Sequence, residues 1–294
     1  MTNPSMSRIG AKTAPPAQAV DDILVVTDIR KSYDDVEILK GISMRARRGE
    51  TTVLIGGSGA GKTTLLRLIV ALESPTSGSI VVDGEETVGL SDHALNRIRQ
   101  KFGMVYQYAA LFDSVTVMDN VAFPLVEHTT LSKHEIHDRV IDRLESLGLD
   151  GSVAMKFSSE LSGGMRKRVG IARALMLDPP VMVYDEPTSG LDPPMSRLVD
   201  DLIEEVREKL GVTSIVSSHD ITSCFRIAHQ AILLIGGKIV ARGTPDELAS
   251  SKDDTVRDFI EKSGVDVGHV SRVPSGTFSA AHEPAGEPDD HSTT

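Results

Sequence analysis

Lys62 stands between Gly61 and Thr63 in the run GGSGAGKTT (56–64), which matches G-x-x-x-x-G-K-[ST] at Gly56, Gly61, Lys62 and Thr63. Residues of these types at this spacing make a phosphate loop. Glycines let backbone N–H groups wrap phosphate oxygens, the lysine reaches the β- and γ-phosphates, and the threonine hydroxyl ligates Mg²⁺. The loop residues Gly56, Gly57, Ser58, Gly59, Ala60, Gly61, Lys62, Thr63 and Thr64 are therefore expected to hold a nucleotide. The run VMVYDE (181–186) supplies the acids this chemistry needs. Four apolar residues bury a strand, and Asp185 emerges at its end to hold Mg²⁺, through water. Glu186, next to it, is placed to orient and deprotonate an attacking water.

A second anion site is written at LSGGMRKRVGIARAL (161–175). A serine and two glycines lead into a helix-forming run. Glycine is unfavourable there unless a backbone must come close to something, and bare N–H groups at a helix N-terminus attract anions. This stretch has no lysine in the phosphate-gripping position, so it cannot duplicate the first loop. His128, His134 and His137 carry no comparable signal. His134 and His137 stand i, i+3, a spacing that can bind zinc, but no carboxylate or cysteine set obviously completes a site. A solvated helix face accounts for them.

These residues need strands and helices to hold them. ILVVTDIR (23–30) reads as a β-run, with strand and turn signals continuing through TVLIGG (52–57). SIVVDG (79–84) is a strand closed by an Asp-Gly turn, ALNRIRQKF (94–102) is helical, and GMVYQ (103–107) is a short strand. Over 132–148, Ile136, Val140, Ile141, Leu144 and Leu147 share one helical face that ends at Gly148. PVMVYDE (180–186) and TSIVSS (213–218) read as strands, 194–210 as a helix, and 231–243 as a hairpin. Helix signals return at PDELASS and DTVRDFIEKSG. Strands alternating with helices predict a mostly parallel sheet with helices on its faces.

The bulk numbers fit a soluble globular chain with one large domain or two small ones. The 294 residues are 40% hydrophobic and 25% charged, with 31 basic and 42 acidic residues and a formal charge of −11. That acidic balance argues against a nucleic-acid binder. The single cysteine, Cys224, rules out a disulfide framework and suits a reducing compartment. The longest apolar run, AILLI (231–235), is strand length, far short of the roughly 18 residues of a membrane span. Residues 1–21 read as a disordered arm without a secretory core, and 263–294 as a flexible tail.

In order, the chain carries the phosphate loop 56–63, Gln107, LSGGM 161–165, VMVYDEP 181–187, SGLD 189–192 and SHD 218–220. Together these resemble the ATP-binding subunit of an ABC transporter, over roughly residues 22–262. The resemblance implies an α/β fold: a P-loop NTPase (RecA-like) core, an N-terminal antiparallel β subdomain, and an inserted α-helical subdomain at roughly 93–166. It implies ATP and Mg²⁺ as cofactors and hydrolysis coupled to transport. It also implies a head-to-tail homodimer in which Ser162, Gly163 and Gly164 bind the γ-phosphate of the partner's ATP. Gln107 would contact Mg²⁺ and the attacking water, His219 would hydrogen-bond the γ-phosphate, and Asp192 would couple the two sites. Tyr33, in KSYDD, resembles the residue that stacks on adenine.

Position 165 is Met where the family's commonest signature has Gln, and 190 is Gly where Ala is commonest. The stretch YAALFDSVTVMDNVAFPL (108–125), with ELSGGMRKRVGIARAL and YDEPTSGLDP, is similar to the ATPases of the Mla/Mce lipid-transport group. That likeness implies a separate transmembrane permease moving phospholipid, a Mce-domain lipid-binding partner, and a peripheral place on the cytoplasmic side of the inner membrane. Two alternatives share much of the chemistry: the ATPase of an amino-acid or peptide importer, and a soluble ABC switch protein.

Overall fold

Alternation along four short strands decides the architecture. In Thr51–Ile55, Val181–Asp185, Thr213–Ser218 and Gln230–Ile235, one set of residues (Val53, Ile55, Met182, Tyr184, Val216, Ala231, Leu233) packs into one hydrophobic cluster. The intervening set (Leu54, Val181, Val183, Ile215, Ile232, Leu234) packs into a second. A period of two sends successive side chains to opposite faces, so these strands form a sheet covered on both sides. Such strands read as near-continuous apolar runs.

The computed structural model describes residues 22–264, except Tyr108. The expectations for residues 1–21 and for the chain beyond Gly264 lie outside the described residues. The elements run β1 Asp22–Tyr33, β2 Val36–Arg47, β3 Thr51–Ile55, α1 Lys62–Ile69, β4 Ser77–Val82, β5 Glu85–Glu86, α2 Asp92–Arg99, β6 Phe102–Val105, α3 Val117–His128, α4 Lys133–Ser146 and α5 Gly163–Ala174. There follow β7 Val181–Asp185, α6 Pro193–Leu210, β8 Thr213–Ser218, α7 Ile221–Ile227, β9 Gln230–Ile235, β10 Lys238–Gly243, α8 Pro245–Ala249 and α9 Asp254–Lys262.

A six-stranded sheet has the order β10-β9-β3-β8-β7-β6, parallel except for β10. A four-stranded antiparallel sheet, β2-β1-β4-β5, lies over one face. The second cluster fills the space between, joining Ile23, Leu24, Ile29, Leu39 and Ile42 of that sheet to Leu65, Leu66, Leu68 and Ile69 of α1. The first cluster joins the opposite face to α3 through α9. Full burial of each such side chain contributes about 1.5–3 kcal/mol.

Local reading and structure agree closely at α4. Ser132 accepts from Glu135 N and Glu135 reaches back to Ser132 N, a capping box, and Gly148 takes a left-handed φ of 70° just past the helix end. The hairpin β9–β10 turns on Gly236 and Gly237, both at positive φ. Three details differ from the sequence reading. The signals after residue 30 resolve into a long β2 as well as β3. The helix read over 94–102 starts at Asp92 under a Ser91 cap and ends at Arg99, so Phe102 belongs to β6. Helix α3 was hidden because Pro124 lies inside it, and proline usually argues against a helix interior.

Candidate functional site

Parallel strands present their carboxyl ends along one edge, and the crevice there is where an open α/β sheet binds ligands. Four neighbouring strands, β3, β8, β7 and β6, end at that edge. β3 runs into the loop 56–61, β7 ends at Asp185 before Glu186, β8 ends before His219, and β6 leads to Gln107. Segments far apart in sequence thereby converge.

They line a cavity of about 750 Å³ bounded by Gly57 to Thr64, Tyr33, Gln107, Glu186 and His219, with Ile38 and Ser189 completing the wall. Gly56 precedes this wall without lining it, and an added Cβ there would sit 2.4 Å from the Leu234 carbonyl oxygen on β9. Gly61, at φ 101°, is the N-cap of α1, and no side chain caps that helix. The contrast is general. Each of the other eight described α-helices has a Ser, Thr or Asp side chain accepting its first N–H groups. Helix α1 alone among them keeps those donors for something else, with no acid in its first turn.

Lys62 is 6% exposed. Its ammonium donates to the carbonyls of Gly56 at 2.7 Å and Gly57 at 3.2 Å and pairs with Glu186 Oε1 at 3.1 Å. The other Glu186 oxygen meets His219 Nδ1 in a short contact. Glu186 sits at φ 51°, a left-handed conformation that costs a non-glycine residue about 1–3 kcal/mol and persists only where the surroundings hold it. Its N–H is held by Ser217, through the carbonyl at 3.2 Å and the hydroxyl at 3.0 Å.

Thr63 Oγ1 donates to Asp185 Oδ1 at 3.1 Å, and Ser217 Oγ donates to the same oxygen at 2.6 Å. A hydroxyl that gives its proton to a carboxylate still offers lone pairs, so the Thr63–Asp185 pair is a hard-oxygen donor set of the kind Mg²⁺ takes. Gln107 adds an amide, its Nε2 on Ser189 Oγ at 2.8 Å. The chain's own donors thus fit the metal. Two cations of α5, Lys167 buried and Arg173 half-buried, grip the loop that follows β6: Lys167 donates to the Gln107 carbonyl and Arg173 to the Ala109 carbonyl at 2.7 Å. Burial pushes both side chains' pKa values down.

Tyr33 is 42% exposed on the cavity wall. Its hydroxyl donates to Glu73, which pushes the phenol pKa up and the Glu73 carboxyl down. Lys31 Nζ lies 4.8 Å from the ring centroid, a cation–π contact.

The remaining sequence-predicted residues are elsewhere. Ser162 caps α5, accepting from Met165 N at 3.3 Å, and Asp192 caps α6, accepting from Met195 N at 2.8 Å. Neither they nor Gly163 and Gly164 line the cavity. An added Cβ on Gly163 would meet nothing within 4 Å, so packing within the chain does not require glycine there. The histidines set aside as a metal cluster are spread over neighbours. His134 and His137 lie 3.5 and 3.3 Å from Asp138, and His128 lies 3.3 Å from Gln100.

Sequence reasoning missed Ile38, Glu73, Ser189 and Ser217. Ser189 was inside the quoted SGLD run. Ser217 was legible only as a hydroxyl in an otherwise buried strand, and no local signal points to Ile38 or Glu73.

Residues 39–189 match the family described as ABC transporter. The chain is 39% identical over 264 residues, 90% of its length and 97% of the relative's, to the intermembrane phospholipid transport system ATP-binding protein MlaF of Escherichia coli K12. It is 38% identical to MlaF of Haemophilus influenzae over 82% of this chain and 90% of that one. It is 37% identical to the probable ribonucleotide transport ATP-binding protein mkl of Mycobacterium tuberculosis, over 80% of this chain and 65% of that one. Among solved structures, CbiO1 of Clostridium perfringens, part of the ABC transporter complex CbiONQ, aligns with a TM-score of 0.73 at 33% identity, over 81% of this chain and 94% of that one. The ATP-binding cassette MJ0796, in a dimeric post-hydrolysis state bound to ADP and Pi, aligns at 0.69 and 31%, over 76% and 98%.

Proposed function

Because the chain belongs to the ABC transporter family, as an ATP-binding and ATP-hydrolysing subunit, we propose that it powers a membrane permease that moves phospholipid between membranes. The carrying observation for the cargo is the 39% identity to a phospholipid-transport ATPase across 90% of this chain and 97% of that relative. Among the described residues, no helix is long and apolar enough to cross a membrane. In this reading the permease is a separate polypeptide, with this subunit peripheral on the cytoplasmic side of the inner membrane. A Mce-domain lipid-binding protein completes the assembly. Residues 22–262 act as one ATPase domain, with its helical part at roughly 93–166, between arms at 1–21 and 263–294.

Each residue has a role in this reading. The backbone of residues 56–64 and the bare end of α1 bind the phosphates, Lys62 reaches the β- and γ-phosphates, and Tyr33 stacks on the base. Thr63, Asp185 and Gln107 would hold Mg²⁺, which when bound neutralises phosphate charge. Glu186 takes the proton of the attacking water, and His219 hydrogen-bonds the γ-phosphate. Most of the rate enhancement comes from positioning and electrostatics.

Ser162, Gly163 and Gly164 act on the ATP of a second copy. Support comes from their absence from the cavity of their own chain and from the open space around Gly163. Two such half-sites related by a two-fold axis complete each other. Asp192, at the start of α6, links the two.

Affinity purification of the full chain from detergent-solubilised native membranes, with mass spectrometry of proteins and bound lipid, tests this. A polytopic membrane protein, a Mce-domain protein and phospholipid are expected. A solute-binding protein in place of the Mce protein, or bound nucleotide-type cargo, overturns the lipid assignment. Recovery without any membrane protein overturns the transport role.

A further inference from the structure

The last pair of the β7–β8 ladder sets Asp185 directly opposite Ser217. Ser217 is completely buried, and so are Ile215 and Val216 before it. A hydroxyl there has lost water and needs partners within the protein. It has two, and both belong to the catalytic acids: it donates to Asp185 Oδ1 at 2.6 Å and accepts from Glu186 N at 3.0 Å. An ionised carboxylate only accepts and a backbone N–H only donates, so the single hydroxyl proton has one place to go and both bonds have a fixed direction.

The consequences differ at the two ends. A carboxylate turns easily about its last torsion, whose preference is broad and two-fold. Ser217 and Thr63 together pin Asp185 by the same oxygen, Oδ1. Both bonds fall on one oxygen, so the torsion that sets Oδ2 is fixed with it. At Glu186 the Ser217 hydroxyl helps hold an N–H whose residue is in the left-handed region, so it helps maintain the turn that aims the Glu186 side chain. Ser217 also lies two residues before His219, so one side chain ties the strand that leads into the histidine to both acids.

We infer that Ser217 is a positioning residue for ATP hydrolysis, fixing the rotamer of the metal-binding carboxylate through Oδ1 and the backbone of the water-activating glutamate through its N–H. This rests on the roles assigned above to Asp185 and Glu186.

The test uses the full chain purified with the membrane subunits it retains, as wild type and as Ser217→Ala and Ser217→Thr. ATP turnover is measured against ATP and against Mg²⁺, and nucleotide binding in EDTA is measured separately. Loss of one hydrogen bond to a charged group predicts that Ser217→Ala lowers kcat by about 10-fold. Its half-saturating Mg²⁺ should rise several-fold, with metal-free nucleotide binding within about twofold of wild type. Thr keeps the hydroxyl and should restore most of both. A merely structural serine would lower the unfolding midpoint and scale down the active fraction without moving the Mg²⁺ response, and that result overturns the inference.

Asp185→Asn and Glu186→Gln serve as references. If they turn over like wild type, the underlying site reading fails. If they are inactive while Ser217→Ala keeps wild-type kcat and Mg²⁺ response, only the inference fails.

Discussion

Replacing Asp200 by Asn should stabilise this protein progressively as the pH rises toward neutrality. Asp200 lies on α6, 1% exposed, facing α7. Arg226 Nε is 3.5 Å from its Oδ2, but the guanidinium is committed to Asp201 at 2.8 Å. Among the described residues, Asp200 Oδ1 has no hydrogen-bond partner. Burial pushes the carboxyl up from 3.8 to about 7, opposed by the Ser223 hydroxyl and Arg226 and reinforced by Asp220 and Asp201. At ~1.36 kcal/mol per pKa unit, ionised Asp200 costs the fold ~4 kcal/mol.

The sign follows from linkage. The unfolded chain releases this proton near 3.8 and the folded chain near 7. The stability associated with protonated Asp200 is therefore fully present below the first value and lost as pH rises through the second. Asn has the same shape and no charge, and Arg226 keeps Asp201. The gain of Asp200→Asn over wild type should therefore grow between about pH 4.5 and pH 8. At about 2–4 °C per kcal/mol for a domain of this size, the growth is roughly 5–10 °C in unfolding midpoint. Thermal unfolding of both proteins across that range reads it directly. A midpoint difference that is constant with pH, or that shrinks as pH rises, would refute the reasoning.

Glu186→Gln should reduce ATP turnover by about 10²–10⁴-fold, the usual worth of a general base, while retaining nucleotide and a closed dimer; rapid turnover in single-cycle assays contradicts its role. Lys62→Ala removes an ammonium 6% exposed at the loop and should weaken ATP binding by about 10–100-fold, the equivalent of a hydrogen bond to a charged group; equal affinity by calorimetry contradicts the loop assignment. Tyr33→Ala should weaken ATP binding by about 2–10-fold through lost stacking. Tyr33→Phe keeps the ring and loses only the Glu73 bond, so it should remain within about twofold by the same titration.

Several features of this protein were determined locally and could be read from the sequence. Gly61-Lys62-Thr63 makes a left-handed turn into the uncapped start of α1 because left-handed backbone and a helix start are short-range properties of those residues. Ser132 and Glu135 mark the start of α4 by reaching each other across three residues. The apolar runs of β7 and β8 read as strands, and strands alternating with helices predicted a mostly parallel sheet with helices on its faces. The six motifs carried the family. What only the tertiary structure decided depends on which strands are neighbours and in which register. The order β3-β8-β7-β6 brings Gln107, Glu186 and His219 to one edge. The pairing of Asp185 with Ser217 turns a serine buried in a strand into a partner of both acids. Glu73 reaches Tyr33 across 40 residues of chain. Helix α3 forms despite Pro124 because its apolar face, with Val117, Val121 and Leu125, is buried in the core, and tertiary packing supplies most helical stability. Non-local hydrogen bonds and shared cores of this kind have no signature in local spacing, since a slip of one residue in register would place different side chains at the site.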